Sequence, residues 1–564
     1  MKKWVVKGAY GENINVVTQL LRNRGIGEDA REEFLSPLPL AEYLKKMPGD
    51  FKESLKKARE EILIAIKDNR AIVIHGDYDA DGICATAILY KTLTQTLGHA
   101  KVAYFLPNRF DHGYGLSPES VKEIAKLTKE RFGVAGGLVI TVDCGITAGQ
   151  EVIESAKGLG FRVIITDHHQ KGESDPRTEV VLWNDGVVGA GVALVLALVL
   201  GLRDEQLLSL AGIATVTDLA PLKGFNRALV KRTLALLNTN PPLGIKSLLD
   251  VSGGTNGEIG MYDLGYIIGP RLNASGRLDS AYDSLRLLLE DDSVEVTKIA
   301  QKLNAVNLER QEMTQKMFDL ADELYVQDET SRVGNEPSLA NSKIIITASE
   351  KFHEGVIGLV AGKLAQKYYK PAIAIAINGD VGKASGRSIP GVNIVDLLKH
   401  FEERFTGLGG HPMAAGFSLK KENLAKFTTD LLKYAQENIA QYLLVPQLTV
   451  DLEIPLLLIT ANLLKEVDQL KPYGIGNPEP LFLSRNVGVA GSSLVGKDGS
   501  HLSLKLFDGQ NTYKAILFDA KNLGVLSFDL GTRIDIVYSA SLKDFHGTPS
   551  LDLVIKDFAP SCKV

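Results

Sequence analysis

Four short apolar runs between residues 52 and 200 set the tightest limit on how this chain folds. "AIVIHGD" (71–77), "KVAYFLP" (101–107), "GLVITVD" (137–143) and "FRVIITDHH" (161–169) each read as a strand. "GICATAILYKTLTQTL" (82–97) reads as a helix between the first two, and a helical stretch separates the last two. Strands that are apolar throughout are buried on both faces, and strands alternating with helices pair in parallel. The expected fold is therefore an α/β lobe, a parallel sheet with helices on both sides. Such sheets place ligands beyond the carboxyl ends of their strands.

The rest of the chain changes character twice. Residues 1–45 read as a small leading segment packed on the lobe that follows, and 203–290 as mainly helical. Residues 291–326 lack Pro and Gly and keep helical apolar spacing, which predicts one long helix joining two lobes. A polar, turn-rich linker follows, and a second α/β unit starts at "KIIITASE" (343–350). From about 446 short β-like runs separated by turns predict an all-β module of barrel size. The expected boundaries are 1–45, 46–290, 291–340, 341–445 and 446–564.

At 564 residues the chain exceeds a single core. It has three cysteines, Cys84, Cys144 and Cys562, and no CxxC pair, so a reducing compartment fits and a cysteine zinc site does not. The first residues carry no apolar stretch of the kind a signal peptide needs. "VVGAGVALVLALVLGL" (187–202) is shorter than the roughly 20 residues that span a bilayer and reads as a buried helix. A net charge of -5 gives no global attraction to nucleic acid, so a polyanion would need local basic patches or bound cations.

"HGDYDADG" (75–82), "TVDCGIT" (141–147), "TDHHQ" (166–170) and "TVTDLAPL" (215–222) share one chemistry. Each puts Asp or His directly after an apolar or β-like segment. Three aspartates at alternating positions repel one another unless they bind a cation or point apart in solvent. His75, Asp79, Asp81, Asp143, His168 and Asp218 are placed to converge at one sheet edge. Carboxylate oxygens with imidazole nitrogens suit Mn²⁺, Zn²⁺ or Fe, whereas Mg²⁺ prefers oxygen and water. Six donors suit a pair of ions, the usual clamp for phosphoryl oxygens, with the solitary Asp143 as bridge.

"DYDADG", "VDCGIT", "TDHH" and "TDLAPL", in this order, resemble the DHH phosphoesterase superfamily. "GPRLNASGR" (269–277), "GKASGRS" (382–388), "GLGGHPMAAGFS" (407–418) and "YGIGNPEP" (473–480) narrow the resemblance to its RecJ exonuclease family, over roughly residues 45 to 560. That resemblance implies a DHH catalytic domain, a DHH-associated substrate-binding domain and a C-terminal OB-fold. It implies two divalent metal ions, Mn²⁺ favoured and Mg²⁺ the alternative. His75 and Asp79 would hold one ion, Asp81, His168 and Asp218 the other, and Asp143 both. Asp77 would lie outside the ligand set, His169 would face the scissile phosphate, and Asp167 would orient a ligand histidine. Amides of the helix that Gly82 starts would face an anion.

For substrate, the resemblance implies Asn108 and Arg109 beside the metals. Arg277, Ser385 and Arg387 sit in small-residue turns beside arginines, and a bidentate Arg fork suits phosphate. Gly410 and His411 lie in a glycine-rich loop read as opening a helix. Tyr513, Phe518, Tyr538 and Phe545, with Lys505, Lys514 and Lys543, are the barrel's candidates for stacking and charge contacts. The implied activity is 5′→3′ hydrolysis of single-stranded DNA to 5′-mononucleotides in DNA repair and recombination. A 5′-ended single strand is the implied partner, with single-strand-binding protein and a helicase, in a cytoplasmic monomer with no membrane. A small-substrate phosphodiesterase or pyrophosphatase would need only two lobes; the added barrel-sized module argues for a polymer. A non-catalytic scaffold would lack ligands that are all present here.

Overall fold

The computed structural model describes residues 2–11, 15–108, 115–172, 175–254, 257–278, 280–331, 342–545 and 548–561. Five strands form the first sheet: β1 (Ile72–His75), β2 (Val102–Phe105), β3 (Gly137–Val142), β4 (Phe161–Asp167) and β5 (Val180–Trp183). Their order is β2-β1-β3-β4-β5 and every pair is parallel. Side chains alternate across the sheet as strand geometry dictates. Ile72, Ile74, Leu138, Ile140 and Ile164 enter one core cluster, and Val73, Val139, Val163 and Ile165 enter another.

Helices α1 (Val16–Asn23) and α2 (Gly49–Lys67) precede the sheet; α3 (Ala80–Lys91), α4 (Pro118–Phe132), α5 (Gln150–Gly158) and α6 (Gly189–Val199) follow its strands. Apolar residues of α2, α3 and α6 fill the first cluster, and those of α4 and α5 the second, so both faces are covered as expected. Helix α4 shows the local logic: Ser117 and Ser120 cap its start reciprocally, Pro118 opens it, and Gly133 ends it at φ 68°. The apolar run at 187–202 gives α6, buried from Gly189 to Ala197. No described helix is long and apolar enough to cross a membrane. Beyond α6 come α7 (Glu205–Thr217), α8 (Gly269–Leu278) and the long α9 (Ser293–Ser331).

The chain divides into two compact units, one of residues 4–304 with 449–564, the other of 1–3 with 305–448. The second unit carries a sheet of β6 (Ile345–Ser349), β7 (Ala372–Asn378), β8 (Val381–Arg387), β9 (Phe405–His411) and β10 (Ala414–Lys420), in the order β9-β10-β8-β7-β6. Only β6 and β7 pair in parallel. Two expectations are corrected here. "ASGRS" is not a turn, because Val381–Arg387 pairs along its length with β7 and β10. "GLGGHPMAAG" is a hairpin rather than a loop opening a helix. Ala415, Phe417 and Leu419 alternate inward and recruit 405–411 as their partner. Gly410 (φ 147°) permits the tight link, since a Cβ there would lie 2.3 Å from the Ala414 carbonyl oxygen.

The first unit ends in a barrel of β11 (Phe482–Val495), β12 (His501–Phe507), β13 (Thr512–Leu517), β14 (Arg533–Phe545) and β15 (Thr548–Pro560). The order β11-β12-β13-β15-β14 closes because β14 also pairs with β11. This is the five-stranded closed barrel expected of an OB-fold. The leading segment departs from expectation: Tyr43 and Met47 join the first lobe, but Val16, Val17, Leu20, Leu21, Ile26 and Phe34 join the barrel's core cluster. Buried Arg24 ties the two together, ion-paired with Asp451 at 3.3 Å and donating to Asn477 Oδ1 at 2.9 Å.

Candidate metal centre

The loop after β1 is compressed around its glycines. A Cβ on Gly76 would lie 2.1 Å from Thr86 Oγ1, and one on Gly82 would lie 2.6 Å from the Asp77 nitrogen. Asp79 caps α3, its Oδ1 accepting from the N–H groups of Asp81 (2.9 Å) and Gly82 (3.1 Å). These amides serve Asp79 and not an external anion, which corrects the expectation for the helix start. Asp81 lies within the first turn of α3, 2% exposed. Its two oxygens accept from Gly189 and Ala190 N–H, each at 2.7 Å. The amino end of α6 thus receives a carboxylate, the favoured polarity.

Asp143 follows β3 with φ 61°, a left-handed conformation that a non-glycine residue holds only when its surroundings enforce it. Gly189 stands against it; a Cβ there would lie 2.5 Å from Asp143 Cβ. His168 Nε2 lies 3.1 Å from Asp143 Oδ1, 3.5 Å from Asp81 Oδ2 and 3.8 Å from Asp218 Oδ2. Asp218 is at the carboxyl end of helix α7 and not at a strand end, unlike the other three stretches. Asp167 Oδ1 accepts from His169 Nδ1 at 2.8 Å, and Oδ2 from Ile146 N–H at 2.9 Å. Asp167 therefore orients the His169 ring, and its Oδ1 also accepts the His168 backbone N–H at 2.7 Å.

Among the described residues three overlapping groups of donor atoms could hold a metal ion, each within 4.8 Å internally: Asp77, Asp79 and Asp143; Asp81, His168 and Asp218; and Asp143, His168 and His169. Asp77, expected outside the ligand set, is in the first group. His75, expected inside it, is in none; it is buried at the end of β1, its Nδ1 3.5 Å from Cys144 Sγ. The mixed oxygen and nitrogen donors fit hard-to-borderline divalent ions such as Mn²⁺, with Mg²⁺ served by the carboxylates.

Electrostatics point the same way. Burial, then the charges of Asp218 and Asp79, pushes Asp81 well above the usual carboxylate range. Burial, then Asp81 and Asp79, does the same to Asp143. Burial, then Asp79, raises Asp218 to about 7. A cation among them removes that penalty. Burial acts to lower His169, but the bond and charge of Asp167 outweigh it and raise the imidazolium to about 9.

The remaining site residues scatter. Asn108 ends the described stretch after β2, and Arg109 lies outside the described residues. "GPRLNASGR" is helical, not a turn, with Arg277 half-buried near the end of α8. Ser385, Arg387, Gly410 and His411 are in the second unit, where Arg387 Nη1 lies 3.1 Å from Ser385 Oγ. In the barrel Tyr513 and Tyr538 are buried core, whereas Phe518, Lys505 and Lys514 are exposed. The Phe545 and Lys543 side chains lie outside the described set. Sequence reasoning missed a cleft of about 500 Å³ beside Asp218, walled by Leu219, Tyr262, Tyr266, Tyr473 and Ile475. Tyr262 and Tyr266 stack at 5.0 Å and are 65% and 68% exposed. Their four-residue spacing was the available signal.

Family models match in three places: the DHH family N-terminal domain at 71–217, the DHHA1 domain at 341–437 and the RecJ OB domain at 450–557. The single-stranded-DNA-specific exonuclease RecJ of Dickeya dadantii is 32% identical over 97% of this chain and 100% of its own length. The chain belongs to the RecJ family. The RecJ exonuclease of Bacillus subtilis is 34% identical over 90% of this chain, which spans 64% of that relative's length. The crystal structure of Thermus thermophilus RecJ in complex with Mn²⁺ matches with TM-score 0.80 and 28% identity, covering 100% of this chain and 80% of that one. Its Mg²⁺ complex matches at TM-score 0.70 and 26% identity. Membership of the RecJ family indicates a metal-dependent nuclease.

Proposed function

We propose that this chain is a single-stranded-DNA-specific exonuclease that works 5′→3′ and releases 5′-mononucleotides. What carries the proposal is the convergence of Asp77, Asp79, Asp81, Asp143, His168, His169 and Asp218 into overlapping donor groups. Two divalent ions, Mn²⁺ favoured, would be held there and would supply a water of lowered pKa and charge to neutralise phosphate oxygens. Asp143, a member of two groups, would serve both ions. Asp81, His168 and Asp218 complete one side; Asp77 and Asp79 the other, with His75 behind them. His169, kept protonated by Asp167, donates a hydrogen bond to the oxygens on which charge develops.

In the reaction, the oxygen of water bonds to phosphorus and the P–O3′ bond breaks. The 3′-oxygen of the terminal nucleotide takes a proton, and the shortened strand keeps the phosphate. Asn108, Arg109 and Arg277 hold the backbone near the cut. Ser385, Arg387, Gly410 and His411 of the second unit bind substrate phosphate, and capture of a terminal 5′-phosphate sets polarity. The exposed tyrosines of the cleft beside Asp218 offer stacking faces to unpaired bases, worth roughly 1–3 kcal/mol each. The barrel holds the strand farther on. The enzyme acts as a cytoplasmic monomer in DNA repair and recombination, supplied by a helicase and single-strand-binding protein.

The test uses long single strands with one end blocked. Degradation from the 5′ end with Mn²⁺, none in chelator and none of blunt duplex is expected. Efficient loss from the 3′ end with the 5′ end blocked would reject the polarity.

A further inference from the structure

We infer that helix α8, "GPRLNASGRL", is a splint for the metal centre and that Asn273 is its positioning residue. The inference rests on the proposed metal-dependent reading and deepens it. Asn273 Oδ1 accepts the Ala80 N–H at 2.7 Å. Ala80 lies between Asp79 and Asp81, so this bond fixes the peptide plane that sets how far apart the two carboxylates reach. With Asp79 accepting the next two amides, the first three N–H groups of α3 are all held by side chains.

Two glycines of α8 make the approach close. A Cβ on Gly276 would lie 2.3 Å from the Tyr78 carbonyl oxygen, one residue ahead of Asp79. A Cβ on Gly269 would lie 2.3 Å from Thr217 Cγ2, one residue ahead of Asp218. One helix thus presses on the loop that carries Asp79 and Asp81 and on the turn that carries Asp218. It is itself anchored from the other side. Buried Arg271 donates to Asn304 Oδ1 at 3.0 Å and to the Ile267 carbonyl at 2.9 Å. Ser275 Oγ and Ser284 Oγ lie 2.8 Å apart, and Ser284 bonds the Leu272 carbonyl. A rigid support of this kind is what holds ligands to a fixed geometry, and its loss weakens metal affinity without touching the ion.

The experiment measures Mn²⁺ uptake by the full chain by isothermal titration calorimetry, which needs no catalysis, alongside melting in chelator. Asn273→Ala is expected to weaken Mn²⁺ binding by about tenfold or more, while KM for DNA at saturating metal stays within about twofold. Asn273→Asp keeps the acceptor and is expected to bind Mn²⁺ at least as tightly as the parent. That rescue separates the bond from a general loss of packing. Unchanged Mn²⁺ affinity in Asn273→Ala, or an Asp variant as weak as the Ala variant, overturns the inference. So does a raised KM with intact metal binding, which would make α8 a substrate surface. A parent chain that itself takes up no Mn²⁺ would fail the proposed function instead.

Discussion

Two glycine-rich stretches, 75–82 and 407–416, use their glycines in opposite ways. In the first, Gly76 and Gly82 are pressed so tightly that a single added carbon would collide with Thr86 or the Asp77 backbone. In the second, Gly407 and Gly409 have nothing within 4 Å of where a Cβ would stand. The first glycines are spent on internal packing, which leaves the carboxylates rigid. Gly407 and Gly409 are turned to solvent on an edge strand, bare of internal demand, although Gly410 beside them is held against Ala414 by the hairpin. Glycine richness in a sequence thus has two meanings that only the packing separates.

The largest effect follows from breaking the packed side. Asp143→Ala is expected to cut hydrolysis by roughly 10³- to 10⁴-fold, read by single-strand digestion at saturating Mn²⁺. More than a few per cent of parent activity with unchanged metal content would remove Asp143 from the bridge. Next, Gly82→Ala should cost about 1–3 kcal/mol of stability and disrupt metal uptake, because Asp77 must move. Gly409→Ala should leave melting unchanged, since nothing lies within 4 Å of the added Cβ. Equal melting losses in the two variants would erase the contrast.

A smaller effect is expected at the cleft. Tyr262→Ala and Tyr266→Ala should each raise KM for long strands several-fold and spare a dinucleotide, given about 1–3 kcal/mol per stacked base. Equal loss on both substrates would make the pair structural. The smallest effect is in pH. Asp218 is raised from 3.8 to about 7 in the folded chain. Its contribution to stability is full below the unfolded value and is lost as pH rises through about 7. In chelator the chain should therefore melt higher at pH 5.5 than at pH 8, and Mn²⁺ should add more at pH 8. Asp218→Asn should flatten the difference; an undiminished pH dependence in that variant would assign it elsewhere.

What was legible in the sequence follows from the same contrast. Strands β1, β3 and β4 are buried on both faces, so they read as unbroken apolar runs, and the charges at their ends stood out. Strand β5 was missed because it is four residues long and half-buried at alternate positions, with Asn184 rather than Asp or His directly after it. Asp218 was found by its motif, and its support was left open between helix and strand, since an apolar helix end and an apolar strand end look alike over a few residues. The GPRLNASGR stretch was read as a turn because Gly and Ser usually signal one. Here they stay helical and permit contact with residues about 190 positions earlier, which local sequence cannot report. Asp77, not His75, falls in a donor group with Asp79 and Asp143, a difference of side-chain direction within a compressed loop that spacing alone does not report.

The partnership of α1 with the barrel has a consequence during synthesis. Val16, Leu20 and Leu21 complete their cluster only with residues such as Leu452, Phe482 and Tyr538, more than 400 positions later. At about 5–20 residues per second, the helix waits roughly 20–90 seconds on the ribosome for the surface it covers. Throughout that interval an amphipathic stretch is exposed beside a sheet already able to fold. A nascent chain halted after residue 304 should therefore bind a chaperone through residues 16–34, and release it only when the barrel has been made.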